Sequence, residues 1–564
     1  MNSNRLLEKF IRLYRDSYSV KLSSNNLSLG GFYYFLNQLS HTEKKQLSSP
    51  ARIQWEITGN CNLHCKQCYY DAKHAPKSDE LTTEECIRVI KQIKKNDALW
   101  IELQGGEPLL RQDIVNIIEE IKKENIALHI ITNGTLFTDS LANKLSKLLD
   151  YKTDMVQISL DGSCPKINDK IRGTGSFKKI IKGIKLCSKY SLKTSVNTTL
   201  MNDNIHDLSN IYKLVSDIKG ISRYSFFSLM RAGRAKELQF SDLLAGLKEA
   251  IKTKEIYNKK GGPTVKGYLG YIQQFEEYPE VFNKIFGSKL NTVNRNTASI
   301  SSVDIDYNGD IYPSSYLQNK SLLAGNIKTN SLNKLWNSKK WDDLRTSSFL
   351  VHGKCTICSR LQYCGGGTRT TSFISTNCFS KSDSQCLFNP TINTKRLSIR
   401  PPERKDFEKL KTLWEDKKVM ELVGFPNGLH QSNDIIYNWI NDWDNGNSLR
   451  LIIEDNTTKQ FIGEIGYRIE DNFSKMKNKR VAALDIKLLP KFWGRGIGHE
   501  AMDAFIKMIM KSNSFDALIL SPNIRNKKAI LLYKKLGFKF YSKIKHWKNK
   551  NGTMDFRYMV YLLR

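Results

Sequence analysis

Three closely spaced cysteines constrain this chain more than any other feature. Cys61, Cys65 and Cys68 form a C-x3-C-x2-C run directly after a β-like segment, residues 52–58. Thiolates so close together on one loop can all face one small inorganic group. Zinc prefers four ligands, usually in C-x2-C pairs, whereas an iron–sulfur cube can be held at three irons with the fourth left open. The spacing favours the cube, with a zinc knuckle or buried free thiols as alternatives.

Length and cysteine usage limit the class of protein. The 564 residues predict three or four domains, each able to bury its own core. The sequence lacks the apolar run of about 18 residues needed to cross a bilayer, so no membrane partner is expected. Its eleven cysteines, without an export signal, favour reduced thiols and metal binding over disulfides. We therefore expect a cytoplasmic protein.

The chain is strongly basic, with a net charge of +32. Such a charge can indicate an anionic partner such as RNA. The lysines are dispersed, however, and clusters such as residues 178–185 follow a predicted helix surface. A solvated helix face explains that pattern, so nucleic acid is not expected as a partner.

Strand-like and amphipathic helical segments alternate between residues 51 and 230. The predicted strands are 52–58, 99–103, 127–132, 155–160, 193–199 and 224–229, and the predicted helices between them include 83–93, 113–124, 141–149 and 177–190. This alternation predicts parallel strands with helical crossovers, and six such units make a partial barrel. Functional residues of barrels gather at the C-terminal strand ends. Those ends carry the cysteine loop, then Gly105-Gly106-Glu107-Pro108, then Ser159 and Asp161.

With these motifs, the segment from about 50 to 235 resembles the radical S-adenosylmethionine (SAM) enzymes that carry a SPASM domain, a group rich in peptide-modifying enzymes. The resemblance implies that the three cysteines ligate a SAM-binding 4Fe-4S cluster. It places Gly105, Gly106 and Glu107 at the methionine end of SAM. It places Ser159 and Asp161 near the ribose and the carboxylate. Gln67 departs from the family, which often has an aromatic residue or His there to contact the adenine.

A second cysteine set follows at Cys355, Cys358 and Cys364, with Cys378 and Cys386 beyond it. A C-x2-C-x5-C triplet with later cysteines indicates metal, either a cluster or zinc. The pattern resembles the auxiliary-cluster region of SPASM domains, which implies one auxiliary 4Fe-4S cluster. Its ligands would be Cys355, Cys358, Cys364 and Cys386, with Cys378 as the alternative fourth.

A second auxiliary cluster is not expected. The hairpin at residues 305–313 is followed by Ser314 and Ser315, and Thr368 lies four residues after Cys364. These are positions at which the family usually has cysteines.

A different pattern begins near residue 395. A predicted strand leads into Gly494-Arg495-Gly496-Ile497-Gly498 at the start of a predicted helix. Backbone N–H groups at such a turn suit a pyrophosphate. A second segment runs from Asn526 through Tyr533 to Gly537-Phe538.

Together these two segments resemble the GNAT acetyltransferases, in the branch that acetylates protein N-termini and small amines. The resemblance implies acetyl-CoA as a cofactor, with its pyrophosphate on residues 494–498. It implies Asn526 near the CoA arm and Tyr533 as the acid for the leaving thiolate. Asp485 and Glu464 are the candidate bases, because an amine nucleophile must lose a proton.

We predict an α/β chain in four parts. These are an N-terminal extension (1–50), a partial (β/α)6 radical SAM barrel (51–290), a small SPASM- or twitch-like auxiliary domain (291–390) and an α+β GNAT domain (395–564). The predicted function is radical modification of a ribosomally made precursor peptide, with flavodoxin or ferredoxin as electron donor, plus acetyl transfer to an amine. The alternatives are a small amine or aminosugar metabolite as substrate, and tRNA modification. A barrel that only scaffolds the transferase is disfavoured by the intact cysteine triplet.

Overall fold

The computed structural model of the chain describes residues 46–72, 79–238, 249, 252–253, 262–268, 297–347, 351–359, 361, 366–384, 386, 388–470, 473, 476, 479–549 and 552–563. The chain forms two compact units, Met1–Thr346 and Ser347–Arg564. Predictions for residues 1–45 and for Cys364 lie outside the described residues. Within them, no helix has both the length and the apolar character needed to cross a bilayer.

Six parallel strands with helical crossovers form the core of the first unit. The strands are β1 (Arg52–Thr58), β2 (Trp100–Gly105), β3 (Ala127–Thr132), β4 (Met155–Ser159), β5 (Thr194–Leu200) and β6 (Ile221–Ser228). The helices are α1 (Thr83–Lys95), α2 (Ile114–Lys123), α3 (Asp139–Leu148), α4 (Pro165–Arg172), α5 (Ser176–Lys189) and α6 (Leu208–Ser216). Each strand pairs in parallel with the next, as predicted.

The sheet of the first unit is extended on both sides. Beyond β6 lies β7 (Thr264–Tyr268), and beyond β1 lie β8 (Ser302–Ile305), β9 (Asp310–Tyr312) and β10 (Gly325–Asn326). The order β10-β9-β8-β1-β2-β3-β4-β5-β6-β7 is an open sheet, so the barrel is partial. Two short helices follow, α7 (Leu332–Trp336) and α8 (Asp342–Ser347).

The two faces of β1 differ in chemistry because side chains alternate along a strand. Ile53, Trp55 and Ile57 are fully buried in the core that the strands share with the crossover helices. Gln54 and Glu56 point to the opposite, inner face and are also buried. The interior of the partial barrel is therefore polar.

The predicted hairpin at 305–313 is confirmed, since β8 and β9 pair antiparallel. Its attachment was not predicted: β8 pairs in parallel with β1, with Asp304 opposite Gln54. This register places Asp304 on the polar inner face, beside Glu56.

The second unit is built on an eight-stranded sheet. Its strands are β11 (Ile392–Asn393), β12 (Leu397–Arg400), β13 (Ser448–Asp455), β14 (Phe461–Ile469), β15 (Val481–Leu488), β16 (Ala517–Leu520), β17 (Lys539–Phe540) and β20 (Met559–Leu562), with β18 (Lys545–Asn549) and β19 (Gly552–Phe556) as a separate hairpin. Its helices are α9 (Arg369–Thr376), α10 (Phe407–Glu415), α11 (Lys417–Met420), α12 (Asn433–Asn441), α13 (Ile497–Ser512) and α14 (Lys527–Lys535).

Two central strands of this sheet diverge. β15 pairs in parallel with β16 only from Val481 to Ala483. Among the described residues, none pairs with the rest of β15, residues 484–488, on that side, which opens a gap between the two strands.

The second unit begins well before residue 395. The Gly353 N–H donates to the Tyr467 hydroxyl at 2.8 Å, and the Ser514 hydroxyl donates to the Val351 carbonyl at 2.6 Å. Ile357 is 1% exposed and belongs to the hydrophobic core of the eight-stranded sheet. The cysteine-bearing segment therefore packs on the eight-stranded sheet, and the compact unit begins before the predicted 395–564 domain.

This packing predicts where an independent fragment can begin. A fragment of residues 347–564 should unfold cooperatively in urea, whereas 393–564 should be less stable by about 3 kcal/mol, the scale of one buried Ile plus one or two hydrogen bonds. Ile357→Ala in the longer fragment should cost about 2 kcal/mol or more. Equal urea midpoints for the two fragments would show that residues 347–392 add nothing to the core.

Candidate active sites

The cysteine loop after β1 is fixed by one carboxylate. Glu80 accepts hydrogen bonds from the Thr58 hydroxyl at 2.5 Å, the Gly59 N–H at 3.2 Å and the Asn60 side-chain amide at 2.9 Å. All three donors lie in the strand end that leads into Cys61. The loop is therefore held before any ligand binds.

Two of the three sulfur atoms of the loop face N–H donors. Cys61 Sγ lies 3.4 Å from the Leu63 N–H and 3.9 Å from Asn133 Nδ2, and Cys65 Sγ lies 4.0 Å from Arg172 Nη1. Burial raises the pKa of Cys61 to about 12 and also raises that of Cys65. Such thiols become thiolates when a metal displaces the proton. The neighbouring N–H donors would stabilise the negative charge on the sulfur. The residues fit a cluster bound through three sulfurs.

In the described parts of the chain, no three His, Cys, Asp or Glu side chains converge on a point that could hold a single metal ion. A cube differs from such a site because each thiolate binds a different iron.

The glycines after β2 allow a close backbone approach. A Cβ on Gly105 would lie 2.4 Å from the Thr58 carbonyl oxygen, and one on Gly106 would lie 2.0 Å from the Asn60 carbonyl oxygen. The Gly106 N–H donates to Thr58 at 2.8 Å. These glycines pack directly against the start of the cysteine loop. A side chain at either position would clash there, so glycine is needed for the ends of β1 and β2 to pack together.

Glu107 is fully buried and bonded to the protein. Its carboxylate accepts from the Leu109 N–H at 3.1 Å, the Thr132 hydroxyl at 2.6 Å and the Asn133 N–H at 2.7 Å. Burial raises its pKa to about 7, against the effect of these donors. Glu107 thus joins the ends of β2 and β3.

Asp161 lies in a buried network behind Cys65. Arg172 Nε lies 2.7 Å from Asp161 Oδ2, the Thr199 N–H donates to Oδ1 at 2.8 Å, and the Gln67 amide donates to Oδ2. Gln67, which departs from the family pattern, therefore fixes Asp161. Ser159 is half-buried at the end of β4.

Two arginines that sequence reasoning did not single out support the loop. Arg172 connects Asp161 to Cys65. Arg234, after β6, donates from Nε to the Cys65 carbonyl and from Nη1 to Asp71, both at 3.0 Å. Arg172 stands in a glycine-rich run, Arg172-Gly-Thr-Gly, that could have indicated it, but Arg234 carries no sequence signal.

The polar inner face of the barrel holds a pair of buried acids. Glu56 and Asp304 are both fully buried. Gln104 Nε2 donates to Glu56 Oε1 at 2.9 Å, and Gln318 Nε2 donates to Asp304 Oδ2 at 3.0 Å. Burial, and then the charge of Asp304, raise the pKa of Glu56 well above its usual range, and burial raises the pKa of Asp304 to about 7. At least one of these acids therefore holds a proton near neutral pH.

The raised pKa of Asp304 predicts a pH-dependent stability. The folded chain keeps a proton that the unfolded chain has released above about pH 4, so this stabilisation is complete below that pH and is lost as the pH rises through about 7. Asp304→Asn should therefore lose less stability than wild type between pH 5 and pH 8. Pulse proteolysis in urea of the cluster-free chain, with fragments of the first unit identified by mass, measures this.

The matched control for that measurement is Asp139→Asn. Asp139 is exposed, and its hydrogen bond from Lys189 lowers its pKa. Because this variant keeps Asp304, its stability should fall between pH 5 and pH 8 as that of the wild type does. An identical pH profile for wild type and Asp304→Asn would contradict the prediction.

The second cysteine set lies in the second unit. Cys355 is buried in a 3-10 turn, Gly353–Ile357, and the Cys358 N–H donates to its carbonyl at 3.2 Å. Cys378 and Cys386 are half-buried. Because Cys364 lies outside the described residues, the full ligand set stays a prediction.

The gap between β15 and β16 opens into a cavity of about 580 Å³. The cavity brings together the predicted residues Tyr533, Asn526, Asp485 and Glu464. The Asn526 side chain also caps α14, accepting from the Ala529 N–H at 3.0 Å. These residues come from two strands, β14 and β15, and from α14 with its N-cap, which the sequence alone could not place together.

The predicted glycine turn starts α13. Gly494 and Gly496 both have left-handed backbones, with φ of 77° and 76°, a conformation that favours glycine. Arg495 and the two glycines are exposed, Gly498 is half-buried, and the helix begins at Ile497. The backbone N–H groups of this exposed turn are suited to binding an anion.

Lys487 lies between the two candidate bases. Its Nζ is 2.8 Å from Glu464 Oε1 and also contacts Asp485. Burial lowers the pKa of Lys487, but the two carboxylates more than offset this and leave it raised. Burial, and then the charge of Asp485, raise the pKa of Tyr533, so the phenol keeps its proton at neutral pH. A protonated phenol is the form that a general acid requires.

Family models match three segments of the chain, and these segments contain the motifs described above. The Radical SAM superfamily matches residues 55–215, the iron-sulfur cluster-binding SPASM domain matches 298–359, and the acetyltransferase (GNAT) domain matches 396–539. The chain is a radical SAM/SPASM enzyme with a C-terminal GNAT acetyltransferase domain.

Among curated proteins, this radical SAM/SPASM enzyme is similar to an AdoMet-dependent heme synthase of Methanosarcina barkeri, at 27% identity over 61% of this chain and 98% of the relative. It is also similar to the mycofactocin maturase MftC of Mycobacterium tuberculosis, at 25% identity over 64% of this chain and 89% of the relative. The crystal structure of Streptococcus suis SuiB bound to S-adenosylmethionine shares the fold, with a TM-score of 0.50 and 20% identity over 68% of this chain and 87% of SuiB.

The families assign an iron–sulfur cluster and SAM to this chain. The SPASM match at 298–359 extends across the division at residues 346 and 347. The β8–β9 hairpin of the SPASM region therefore belongs to the barrel unit, whereas Cys355 and Cys358 belong to the GNAT unit.

Proposed function

We propose that this enzyme modifies a ribosomally made precursor peptide by radical SAM chemistry and transfers an acetyl group from acetyl-CoA to an amine. One observation carries the proposal: each compact unit contains its own constellation of residues, the cysteine loop in the first and the cavity with Tyr533 in the second. Joining both activities in one chain raises the local concentration of a shared intermediate.

Cys61, Cys65 and Cys68 would hold a 4Fe-4S cluster. When bound, that cluster supplies the electron that cleaves SAM and generates a 5′-deoxyadenosyl radical, with flavodoxin or ferredoxin as the electron source. The chain's own residues position the site. N–H groups stabilise the thiolate sulfurs, and the Asp161–Arg172 ion pair at 2.7 Å fixes the arginine beside Cys65.

The strand ends around the cysteine loop would hold SAM. Gly105 and Gly106 keep the methionine end close to the loop, and Ser159 lies where the ribose is expected. Glu107 and Asp161 are positioning residues in this proposal, because both carboxylates are already bonded to protein donors.

An auxiliary 4Fe-4S cluster would use Cys355, Cys358, Cys364 and Cys386. Cys355 is buried next to Gly353, whose N–H donates to Tyr467 at 2.8 Å. The cluster would therefore lie against the GNAT sheet.

In the acetyltransferase reaction, residues 494–498 would bind the CoA pyrophosphate through backbone N–H groups. A carboxylate, Glu464 or Asp485, takes a proton from the acceptor ammonium. The neutral nitrogen then forms a bond to the acetyl carbon while the carbon–sulfur bond breaks. Tyr533 gives its proton to the leaving sulfur and regains one from the acetylated nitrogen, so that one proton is released in total.

The names of the relatives suggest two radical substrates, a peptide for the maturase and a tetrapyrrole for the heme synthase. Glu56 and Asp304 are buried on the inner face of the barrel. At least one of them is protonated near neutral pH, so the pair carries at most one negative charge. That charge disfavours a substrate with several carboxylates, such as a tetrapyrrole, since like charges repel in a low dielectric. They suit a neutral or cationic peptide group.

The test is anaerobic incubation with SAM, a reductant and candidate substrates, with 5′-deoxyadenosine release as the readout. The substrates are short peptides encoded by neighbouring genes, iron coproporphyrin and glucosamine. A peptide should accelerate release and gain a changed mass. Acceleration by the porphyrin or the aminosugar alone would refute the peptide proposal.

A further inference from the structure

We infer that the GNAT cavity is built for an α-amino acyl group with an apolar or aromatic side chain, such as the first residue of a peptide. The inference rests on the proposed acetyl transfer and names its acceptor. Three features of one cavity carry it. They are a carboxylate oxygen without a hydrogen-bond partner among the described residues, a guanidinium without an ion-pair partner among them, and an aromatic wall.

The carboxylate belongs to Glu464, which is 5% exposed. Its Oε1 accepts from Trp414 Nε1 at 3.2 Å and from Lys487 Nζ at 2.8 Å. Its Oε2 is buried and has no hydrogen-bond partner in the described chain. A buried carboxylate oxygen without a donor is costly, so a ligand ammonium is the natural partner.

The guanidinium belongs to Arg450. It lines the same cavity and lies over the Trp439 ring, 5.9 Å from the centroid. No carboxylate of the described residues forms an ion pair with it. Arg450 pairs across the sheet with Gly466, two residues from Glu464 on β14, so both side chains are on one face. A ligand with an ammonium at Glu464 can therefore place a carbonyl or carboxylate at Arg450.

The wall consists of Trp414, Trp439 and Phe425. Trp414 and Trp439 meet edge to face with their ring centroids 5.7 Å apart. Such a wall favours an apolar side chain beside the ammonium, which the ring faces also attract. A polyamine would place a second ammonium near Arg450, and an aminosugar would place hydroxyl groups against indole carbon. Both are disfavoured.

The experiment uses the full-length enzyme with acetyl-CoA and a panel of amines. The panel contains Phe-Gly, Gly-Gly, free phenylalanine, phenethylamine, spermidine and glucosamine, with CoA release and product mass as readouts. Phe-Gly should exceed Gly-Gly, which lacks the side chain. It should also exceed phenethylamine, which lacks the carbonyl, by about 10-fold in kcat/KM, the scale of one charged hydrogen bond. Comparing free phenylalanine with Phe-Gly shows whether the α-amino group is taken from an amino acid or from the N-terminus of a peptide.

Arg450→Gln should reduce the Phe-Gly to phenethylamine ratio to about 1, because it removes the charged partner of the carbonyl. The matched control is Lys507→Gln, which also removes one positive charge. Lys507 does not line the cavity and is paired with Asp503 at 2.7 Å, so this variant should keep the ratio. A preference for glucosamine or spermidine, or an unchanged ratio in Arg450→Gln, would overturn the inference alone. Failure to acetylate any amine would overturn the proposed transfer and this inference with it.

Discussion

Replacing Cys61, Cys65 and Cys68 with alanine should abolish all 5′-deoxyadenosine formation and remove about half of the iron. The reason is that these thiols are the loop's only sulfur ligands, whereas the auxiliary set lies in the other compact unit. Anaerobic reconstitution of the wild type should give about eight irons from two cubes, and the triple variant about four. Iron analysis and chromatographic assay of 5′-deoxyadenosine measure the two effects.

The control for this prediction is Cys164→Ser. Cys164 is a half-buried cysteine of the same unit, at the start of α4, with no assigned ligand role. It should keep both the iron and the activity. About twelve irons in the wild type would mean that three clusters bind, and stoichiometric zinc with little iron would mean that the triplet is not a SAM-cluster site.

Tyr533→Phe should slow acetyl transfer by about 10²-fold or more while acetyl-CoA binding persists. The phenol is buried in the cavity between β15 and β16, and its raised pKa keeps it protonated. Losing a general acid typically costs about 10² to 10⁴ in rate, whereas the ring carbons that fill the cavity remain. Steady-state rates and calorimetric titration with acetyl-CoA separate these effects.

The nearby Tyr561→Phe is the control, because Tyr561 is also partly buried against the same core but does not line the cavity. Its acetylation rate should match wild type. A Tyr533→Phe enzyme with full activity would show that water protonates the leaving thiolate.

The strands of the barrel could be predicted from sequence because each is a local pattern. β1 and β3 have the predicted bounds, and the other four differ at their ends by one to three residues. The cysteine loop and the glycine turn before α13 follow from contiguous motifs in the same way. Local patterning and backbone requirements determine such features.

Features that depend on distant segments could not be predicted. The pairing of β8 with β1, which creates the Glu56–Asp304 pair, joins residues some 250 positions apart. Lys487 reaches Glu464 only because β14 and β15 pair with these two residues opposite each other. The packing of Ile357 on the GNAT core could not be predicted, because the cysteine pattern around it is typical of a separate domain.

The buried carboxylate of Glu107 makes two strand ends open together. The amide protons of Leu109 and Asn133 both point at its oxygens, so neither can exchange with deuterium until that carboxylate is uncovered. The two amides should therefore share one opening free energy, although 24 positions separate them in the chain. The ends of β2 and β3 then open as a single cooperative unit. Slow exchange at these two amides reports whether that unit is intact.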